Sequence, residues 1–169
     1  MVYNLELTLK EQMAKITNKG CVKGSLSDAM KGADIFIGVS KPGIVTKEMI
    51  KSMAENPIVF AMANPVPEIM PNEATEAGAA VAGTGRSDFP NQVNNVLVFP
   101  GFFKGLLRVR AVKVVDSMKI QAAMAIAGII DEKELKSTYV LPEVFDERVA
   151  DAVANAVAEE AVRLGINRK

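Results

Sequence analysis

Three short segments in the first half of the chain are almost continuously apolar, with little alternation between apolar and polar residues. They are residues 33–39 (ADIFIGV), 57–63 (PIVFAMA) and 79–82 (AAVA), of which the last is the shortest. Continuous apolar character is typical of strands that are covered on both faces, as in a parallel sheet. The pattern therefore predicts three parallel strands that are buried from both sides.

A helix-like segment precedes each of these strands. Ser25 and Thr46 are placed to cap the first two helices, Pro71 begins the third and Gly78 follows its end. The three segments are residues 25–31, 46–54 and 71–77. Alternation of helix and strand at this spacing predicts repeated right-handed βα units.

The second half of the chain has helical periodicity and no strand pattern. Helices are predicted at residues 102–110, 116–130 and 146–164, and Asp146 and Gly165 are placed to begin and end the last. The fold class expected is α/β, with a partial Rossmann-like parallel sheet of about three strands followed by packed helices. The chain is predicted to be one domain (1–169), with a helical lead-in (1–20), βα units with ligand loops (21–100) and a helical part (101–169).

Composition narrows the possible chemistry. The 169 residues carry 20 basic and 20 acidic side chains, so no basic field is available for nucleic acid or an anionic membrane. The longest apolar run, residues 122–130, is too short to span a bilayer. Absence of histidine excludes histidine-containing catalytic triads and histidine-ligated metals. The single cysteine, Cys21, fits a reducing cytoplasm.

Candidate ligand-binding residues follow the predicted strands. Parallel strands end at one edge of the sheet, where open α/β sheets bind their ligands. Glycine allows close approach of a ligand to the backbone, and neutral amides can bind a carbonyl, carboxylate or carboxamide group. The residues concerned are Gly38, Val39 and Ser40 after the first strand, Asn64 after the second, and Asn94 and Asn95 beyond the third.

Structural explanations compete with ligand binding at several of these positions. Asn64 precedes a proline and could equally be a turn residue. Arg86 and Asp88 are expected to pair locally. The glycines of GTG at 83–85 lack the third glycine of a phosphate-binding loop. Adjacent amides such as Asn94 and Asn95 suit neither strand nor helix, so a role in ligand binding is favoured there.

At these loops the sequence resembles the carboxyl-terminal part of malic enzyme, the oxidative decarboxylase of malate. The similarity lies in residues 33–53 (ADIFIGVSKPGIVTKEMIKSM), 57–74 (PIVFAMANPVPEIMPNEA) and 83–101 (GTGRSDFPNQVNNVLVFPG). The third segment is the most specific, because two asparagines before an apolar run ending in Phe-Pro-Gly are rare. The resemblance covers nearly all of the chain from about residue 20.

The resemblance implies a Rossmann-type domain that binds NAD or NADP beside L-malate and a divalent metal, Mg or Mn. It implies that Asn64 and Asn95 bind malate, that Asn64 also lies near the cofactor, and that Asn94 lies at the nicotinamide carboxamide. Gly38, Val39 and Ser40 would line the dinucleotide. The expected product is pyruvate, the expected location is cytoplasmic, and the chain is expected to form a homo-oligomer or to associate with an N-terminal part.

Other elements of the malic enzyme family are expected upstream of this segment. They are the tyrosine–lysine acid–base pair, the three acidic metal ligands and the glycine-rich dinucleotide fingerprint, so this chain is expected to hold no catalytic residue and no metal ligand. It would be about the last two-fifths of such an enzyme, or a naturally short protein. Two alternatives remain: a non-catalytic half-Rossmann interaction module, and a folate-type dehydrogenase sharing a similar ADIxIxxxxKPG segment.

Overall fold

The computed structural model describes residues 11–168, in which three parallel strands form one sheet. The strands are β1 (Ile35–Gly38), β2 (Ile58–Ala61) and β3 (Val81–Thr84), arranged in the order β1-β2-β3. Ile35 pairs with Ile58, which in turn pairs with Val81, so the three strands are in register along their whole length. The predicted α/β class and the parallel sheet are confirmed.

A short helix precedes each strand and begins where its first residues predict. Helix α1 (Leu26–Met30) is capped by Ser25, whose hydroxyl accepts from the Asp28 N–H while Asp28 accepts from the Ser25 N–H. Helix α2 (Lys47–Lys51) is capped by Thr46, and helix α3 (Pro71–Glu76) begins at its proline. Side-chain caps therefore mark the start of α1 and α2, and a proline in the first turn marks the start of α3.

The strands are not covered on both faces along the whole sheet, so this part of the prediction is wrong. One face packs on the connecting helices through residues such as Phe36, Val59 and Ala82. On the other face of β1, the side chains of Ile35, Ile37 and Val39 are 54%, 63% and 78% exposed. Apolar composition predicts a preference for burial, but the described residues supply cover for one face of β1 only.

Three longer helices follow the sheet: α4 (Phe99–Arg108), α5 (Asp116–Ala127) and α6 (Glu147–Arg163), preceded by a 3-10 turn at Asn95–Leu97. Helix α6 packs on both α4 and α5, and Met118, Ala122, Val153 and Val157 form the centre of this second core. The apolar residues at the centre of α5 and α6 are therefore buried between the helices. Of the predicted helical lead-in (1–20), residues 11–16 are helical and residues 1–10 lie outside the described residues.

Asn91 joins the sheet to the segment that precedes α6. Its side-chain nitrogen donates to the carbonyl oxygens of Ala82 and Ser137 at 3.0 and 2.8 Å, and its oxygen accepts from the Val140 N–H at 2.8 Å. Because Asn91 is only 5% exposed, these three bonds satisfy its buried amide group. This one side chain ties β3 to the connection between α5 and α6.

Candidate functional site

Four chain segments lie side by side at the carboxyl edge of the sheet. Beyond β1 and β2, the Met62 N–H donates to the Gly38 carbonyl at 2.9 Å, which extends their pairing. Beyond β3, the Val93 N–H donates to the Thr84 carbonyl at 2.8 Å, and residues 84 and 92 form a parallel bridge. The segment that leads to Asn94 and Asn95 therefore runs beside β3 like a short fourth strand.

Gly85 lies between the second and fourth of these segments. A Cβ placed on Gly85 would meet the carbonyl oxygens of Val93 at 3.8 Å and Met62 at 3.9 Å. The Gln92 side chain also donates to the Gly85 carbonyl at 3.3 Å. The loop after β3 is thus packed between the segment ending at Asn64 and the segment leading to Asn94, and it holds both at one edge.

The loop after β1 is held by a buried carboxylate. Glu68 is fully buried, and its Oε1 accepts from the Ser40 N–H at 2.6 Å and from the Ser40 hydroxyl at 3.2 Å. Its other oxygen, Oε2, accepts from the Ala63 N–H at 3.0 Å. The carboxyl group also lies against Gly38, where an added Cβ would stand 2.6 Å from the Glu68 Cδ. Glycine is therefore required at position 38 by its contact with Glu68.

The Glu68 carboxyl group is charged despite its burial. Burial by itself raises the pKa of Glu68, because it disfavours the ionised form. Hydrogen bonds from the backbone N–H groups of Ser40 and Ala63 favour the carboxylate and outweigh burial, so the pKa of Glu68 lies below its usual value. A negative charge thus lies under the loop between Gly38 and Ser40.

Asn64 follows β2 immediately after the anchored Ala63. It is exposed, it precedes Pro65 through a cis peptide bond, and within residues 11–168 its side chain makes no hydrogen bond. A turn-forming asparagine commonly bonds its own loop through the side chain. The exposed amide of Asn64 is therefore available to a ligand.

Arg86 connects the loop after β3 to the loop after β2. Its guanidinium binds the Asp88 carboxylate through two bonds of 2.9 and 2.7 Å, which confirms the predicted local pair. It also donates to the Pro65 carbonyl at 3.4 Å and lies 5.8 Å from the ring centroid of Phe89. Because Asp88 neutralises this cation, Arg86 serves here to hold the loops in place.

The adjacent asparagines differ in their bonding. The Asn94 oxygen accepts from the Val96 N–H at 3.1 Å and caps the 3-10 turn, which leaves the Asn94 amide hydrogens free. Asn95 is exposed, and its side chain makes no hydrogen bond in the described part of the chain. Both line a cleft of about 420 Å³ with an apolar wall from Leu97, Phe102 and Ile126. Asn94 can thus act as a donor, and Asn95 as donor or acceptor.

This arrangement can orient a polar ligand. Besides the Arg86–Asp88 ion pair and the exposed Lys41, the edge presents neutral amides and the hydroxyls of Ser40 and Ser87, which suit carboxamide, carbonyl and carboxylate groups. Between residues 11 and 168, no three acidic or cysteine side chains form a group that could hold a metal ion. The amides at this edge therefore suit a neutral polar group of a ligand.

The two residues that organise the edge, Glu68 and Asn91, were not among the predicted site residues. Glu68 lies among proline and apolar residues in the sequence PVPEIM, and Asn91 follows Phe-Pro and precedes Gln92 in the sequence FPNQV. A charged or amide side chain within an apolar segment is a signal for a buried, fully bonded polar group. That signal could have identified both, although it could not have named their partners.

Comparison with known proteins identifies the family. A family model described as "Malic enzyme, NAD binding domain" matches residues 7–162. The chain belongs to this family. It is 59% identical over 160 residues to the bifunctional malic/malolactic enzyme of Bacillus subtilis, and 54% identical over 159 residues to the NAD-dependent malic enzyme of Geobacillus stearothermophilus. These matches cover 95% and 94% of this chain.

A solved malic enzyme has the same fold. The crystal structure of Entamoeba histolytica malic enzyme superposes with a TM-score of 0.84 at 46% sequence identity, over 90% of this chain and 32% of that chain. The chain spans 39% and 33% of the length of the two bacterial relatives. NADP-dependent malic enzymes from several bacteria also match. These findings favour a malic enzyme over a folate-type dehydrogenase.

No helix among the described residues is both long enough and apolar enough to cross a bilayer.

Proposed function

We propose that this chain supplies the nicotinamide-side and malate-side loops of an enzyme that oxidatively decarboxylates L-malate to pyruvate and carbon dioxide with NAD or NADP. The proposal rests on the arrangement of asparagine side chains at the carboxyl edge of the sheet. Asn64 follows β2, Asn94 and Asn95 follow the segment that pairs with β3, and Gly85 packs between these two segments while Glu68 ties the loop after β2 to the loop after β1. Membership of the malic enzyme NAD-binding family supports the same assignment.

Each amide has a role that its bonding allows. Asn64 and Asn95 bind malate, because both present unpaired amide groups that can donate to a carboxylate or hydroxyl oxygen. Asn94 donates its free amide hydrogens to the nicotinamide carboxamide oxygen. Asn64 also borders the cofactor, since it follows the strand next to β1.

The hydrogen bonds of Ser40 limit how the loop after β1 can bind the cofactor. The Ser40 N–H and hydroxyl both donate to Glu68, so neither is free to donate to a ligand. Ser40 can therefore contact the dinucleotide only as an acceptor, through the lone pairs of its hydroxyl or through its carbonyl. Such acceptors suit a ribose hydroxyl or the carboxamide NH2 group. Gly38 and Val39 complete this side of the loop.

The divalent metal and the acid–base groups belong to other parts of the enzyme in this proposal. In a malic enzyme the metal would polarise the carbonyl formed at C2 and so assist loss of carbon dioxide. The described residues offer no ligand set for it. What this chain does is orient malate and nicotinamide relative to each other, which is a substantial part of catalysis when two reactants must meet.

Association with the remainder of an NAD-binding domain is the second part of the proposal. Strand β1 lies at the edge of the sheet, and its outer face presents exposed Ile35, Ile37 and Val39. An unpaired strand edge beside an apolar face is a surface that proteins normally cover. The chain spans about two-fifths or less of its relatives, and we assign this surface to the rest of the enzyme. A homo-oligomer of the complete enzyme is compatible with this arrangement.

The same exposed face supports a second candidate function. A non-catalytic module that binds another chain through β1 would also need an apolar surface at this place. Light scattering distinguishes the candidates, because such a module should self-associate or bind its partner without any effect of malate. A well-folded, strictly monomeric chain would oppose the interaction module.

A hybrid enzyme tests the catalytic proposal. This chain would replace the matching segment of the Geobacillus stearothermophilus malic enzyme, to which it is 54% identical. The assay is malate-dependent reduction of NAD and of NADP in the presence of Mn. We expect turnover within about tenfold of the intact relative, and loss of that turnover when Asn64 is changed to alanine. A folded, correctly assembled hybrid without activity would refute the proposal.

A further inference from the structure

The carboxylate of Glu68 bridges two loops that have separate tasks in the proposed function. Oε1 accepts from Ser40, in the cofactor loop after β1, at 2.6 Å. Oε2 accepts from Ala63, the residue before the malate-binding Asn64, at 3.0 Å. One rigid carboxyl group thus sets the distance between a cofactor loop and a substrate loop.

The bridge requires a carboxylate specifically. It accepts from two backbone N–H groups, each bound to a different oxygen, and Oε1 also accepts from the Ser40 hydroxyl. A glutamine has one acceptor oxygen and one NH2 donor, so its NH2 group would have to face one of the two N–H groups. A neutral side chain of the same shape can therefore hold either loop but not both.

The burial of Glu68 makes this bridge rigid. The side chain is fully buried, with the Gly38 backbone against the carboxyl group and no room for a Cβ there. Water cannot replace a lost bond without displacing that contact. A ligand approaching from the edge would meet Ser40 and Asn64, while Glu68 stays behind them.

We propose that Glu68 is a positioning residue. It fixes the cofactor loop at Ser40 relative to the substrate loop at Asn64, and so sets the alignment of nicotinamide and malate for hydride transfer. This inference rests on the proposed function. Glu68 does not touch either reactant. Its effect is transmitted through two backbone amides, and a small displacement of either loop misaligns malate C2 and the nicotinamide ring.

Glu68→Gln in the hybrid enzyme separates positioning from binding. We expect kcat to fall about 10- to 100-fold, while KM for malate and for the cofactor changes less than about threefold, because each loop still binds its own ligand. The primary isotope effect on kcat with C2-deuterated malate should rise, since hydride transfer becomes slower relative to other steps. Loss of folded enzyme alone would lower kcat without changing the isotope effect.

Glu55→Gln is the matched control. Glu55 is exposed in the turn before β2, and this substitution should leave kcat and the isotope effect unchanged. If Glu68→Gln leaves kcat and the isotope effect at their original values, the positioning role is refuted. If the unsubstituted hybrid is itself folded and inactive, the proposed function fails, and that outcome is distinct from failure of the Glu68 role.

A measurement on the unsubstituted chain tests the bridge even if Glu68→Gln does not fold. The amide protons of Ser40 and Ala63 should exchange slowly and should shift together in a single titration step at acidic pH. The folded-state pKa of Glu68 is lowered, so the carboxylate and its bonds persist at neutral pH and are lost only as the pH falls through that value. Independent titration of the two amides, or none, would overturn the proposal.

Discussion

Gly105 of α4 lies directly against the backbone of Ala154 in α6. A Cβ placed on Gly105 would stand 2.5 Å from the Ala154 carbonyl oxygen. One turn earlier, Gly101 has the same relationship to the Ala150 carbonyl, also at 2.5 Å. The two glycines therefore let the helices approach closely, and Gly101 belongs to the Phe-Pro-Gly sequence at residues 99–101.

Gly105→Ala should destabilise the chain through this contact. Forcing a methyl group into a closely packed helix interface costs about 1–3 kcal/mol, which outweighs the gain of up to about 1 kcal/mol in helix propensity. Urea unfolding followed by circular dichroism measures the change. Gly20→Ala is the control, because nothing lies within 4 Å of a Cβ there. Equal stability of the Gly105→Ala and original chains would contradict the packing.

Asn91→Ala should lower the free energy of unfolding by about 2–4 kcal/mol, since it removes three buried hydrogen bonds. Asn56→Ala is a matched control for the backbone, because both asparagines have left-handed φ angles, of 55° and 57°, but Asn56 is exposed. Protease digestion should also cut the segment at 131–146 sooner in the Asn91 variant. A similar decrease in the free energy of unfolding in both variants would mean that the left-handed backbone angle, and not the loss of the hydrogen bonds, causes the destabilisation.

Much of this fold could be predicted from local chemistry. Ser25, Thr46 and Asp146 cap helices where the sequence places them, since a cap depends on residues within one turn. The third strand was predicted at 79–82 but forms at Val81–Thr84, because pairing with β2 extends it through a glycine and a threonine that sequence alone assigns to a turn. Pairing between distant segments cannot be deduced from local composition.

The candidate site was likewise predictable from the sequence only in part. The asparagines could be identified from the sequence because they follow the predicted strands and because adjacent amides suit neither strand nor helix. The bridge from Glu68 to Ser40 spans 28 residues, and the bonds from Asn91 to Ser137 and Val140 span 46 and 49. Such contacts follow from the tertiary arrangement. The exposure of Ile37 also could not be predicted, because a buried and an uncovered apolar strand have the same composition.

Ile37→Asp should have little effect on the stability of the isolated chain and a large effect on that of the hybrid enzyme. In the isolated chain the Ile37 side chain is 63% exposed, so the melting temperature should change by less than about 2 °C. In the hybrid enzyme the same residue should be buried against the rest of the domain, and the charge should lower the melting temperature strongly or prevent assembly. Equal effects in both proteins would contradict the assignment of this face.

Asn95→Ala in the hybrid should raise KM for malate. Loss of the amide leaves a substrate oxygen unpaired at a cost of about 1–3 kcal/mol, or roughly 5- to 150-fold. Asn95→Asp should be worse, because its charge would face the malate carboxylates. Asn56→Gly, which removes an exposed amide just before β2 and tolerates the left-handed angle, is the control. Unchanged malate kinetics in Asn95→Ala would refute the role of Asn95.

The most direct test is titration of the isotopically labelled chain with NAD, observed by NMR at each backbone amide. The chain has no GxGxxG fingerprint for the pyrophosphate, so only the nicotinamide side of the dinucleotide should bind. We predict a dissociation constant of about 1 mM or weaker, near −4 kcal/mol, with shifts concentrated at residues 38–40, 64 and 94–95. Micromolar affinity, or saturable shifts that leave these residues unchanged, would contradict the account.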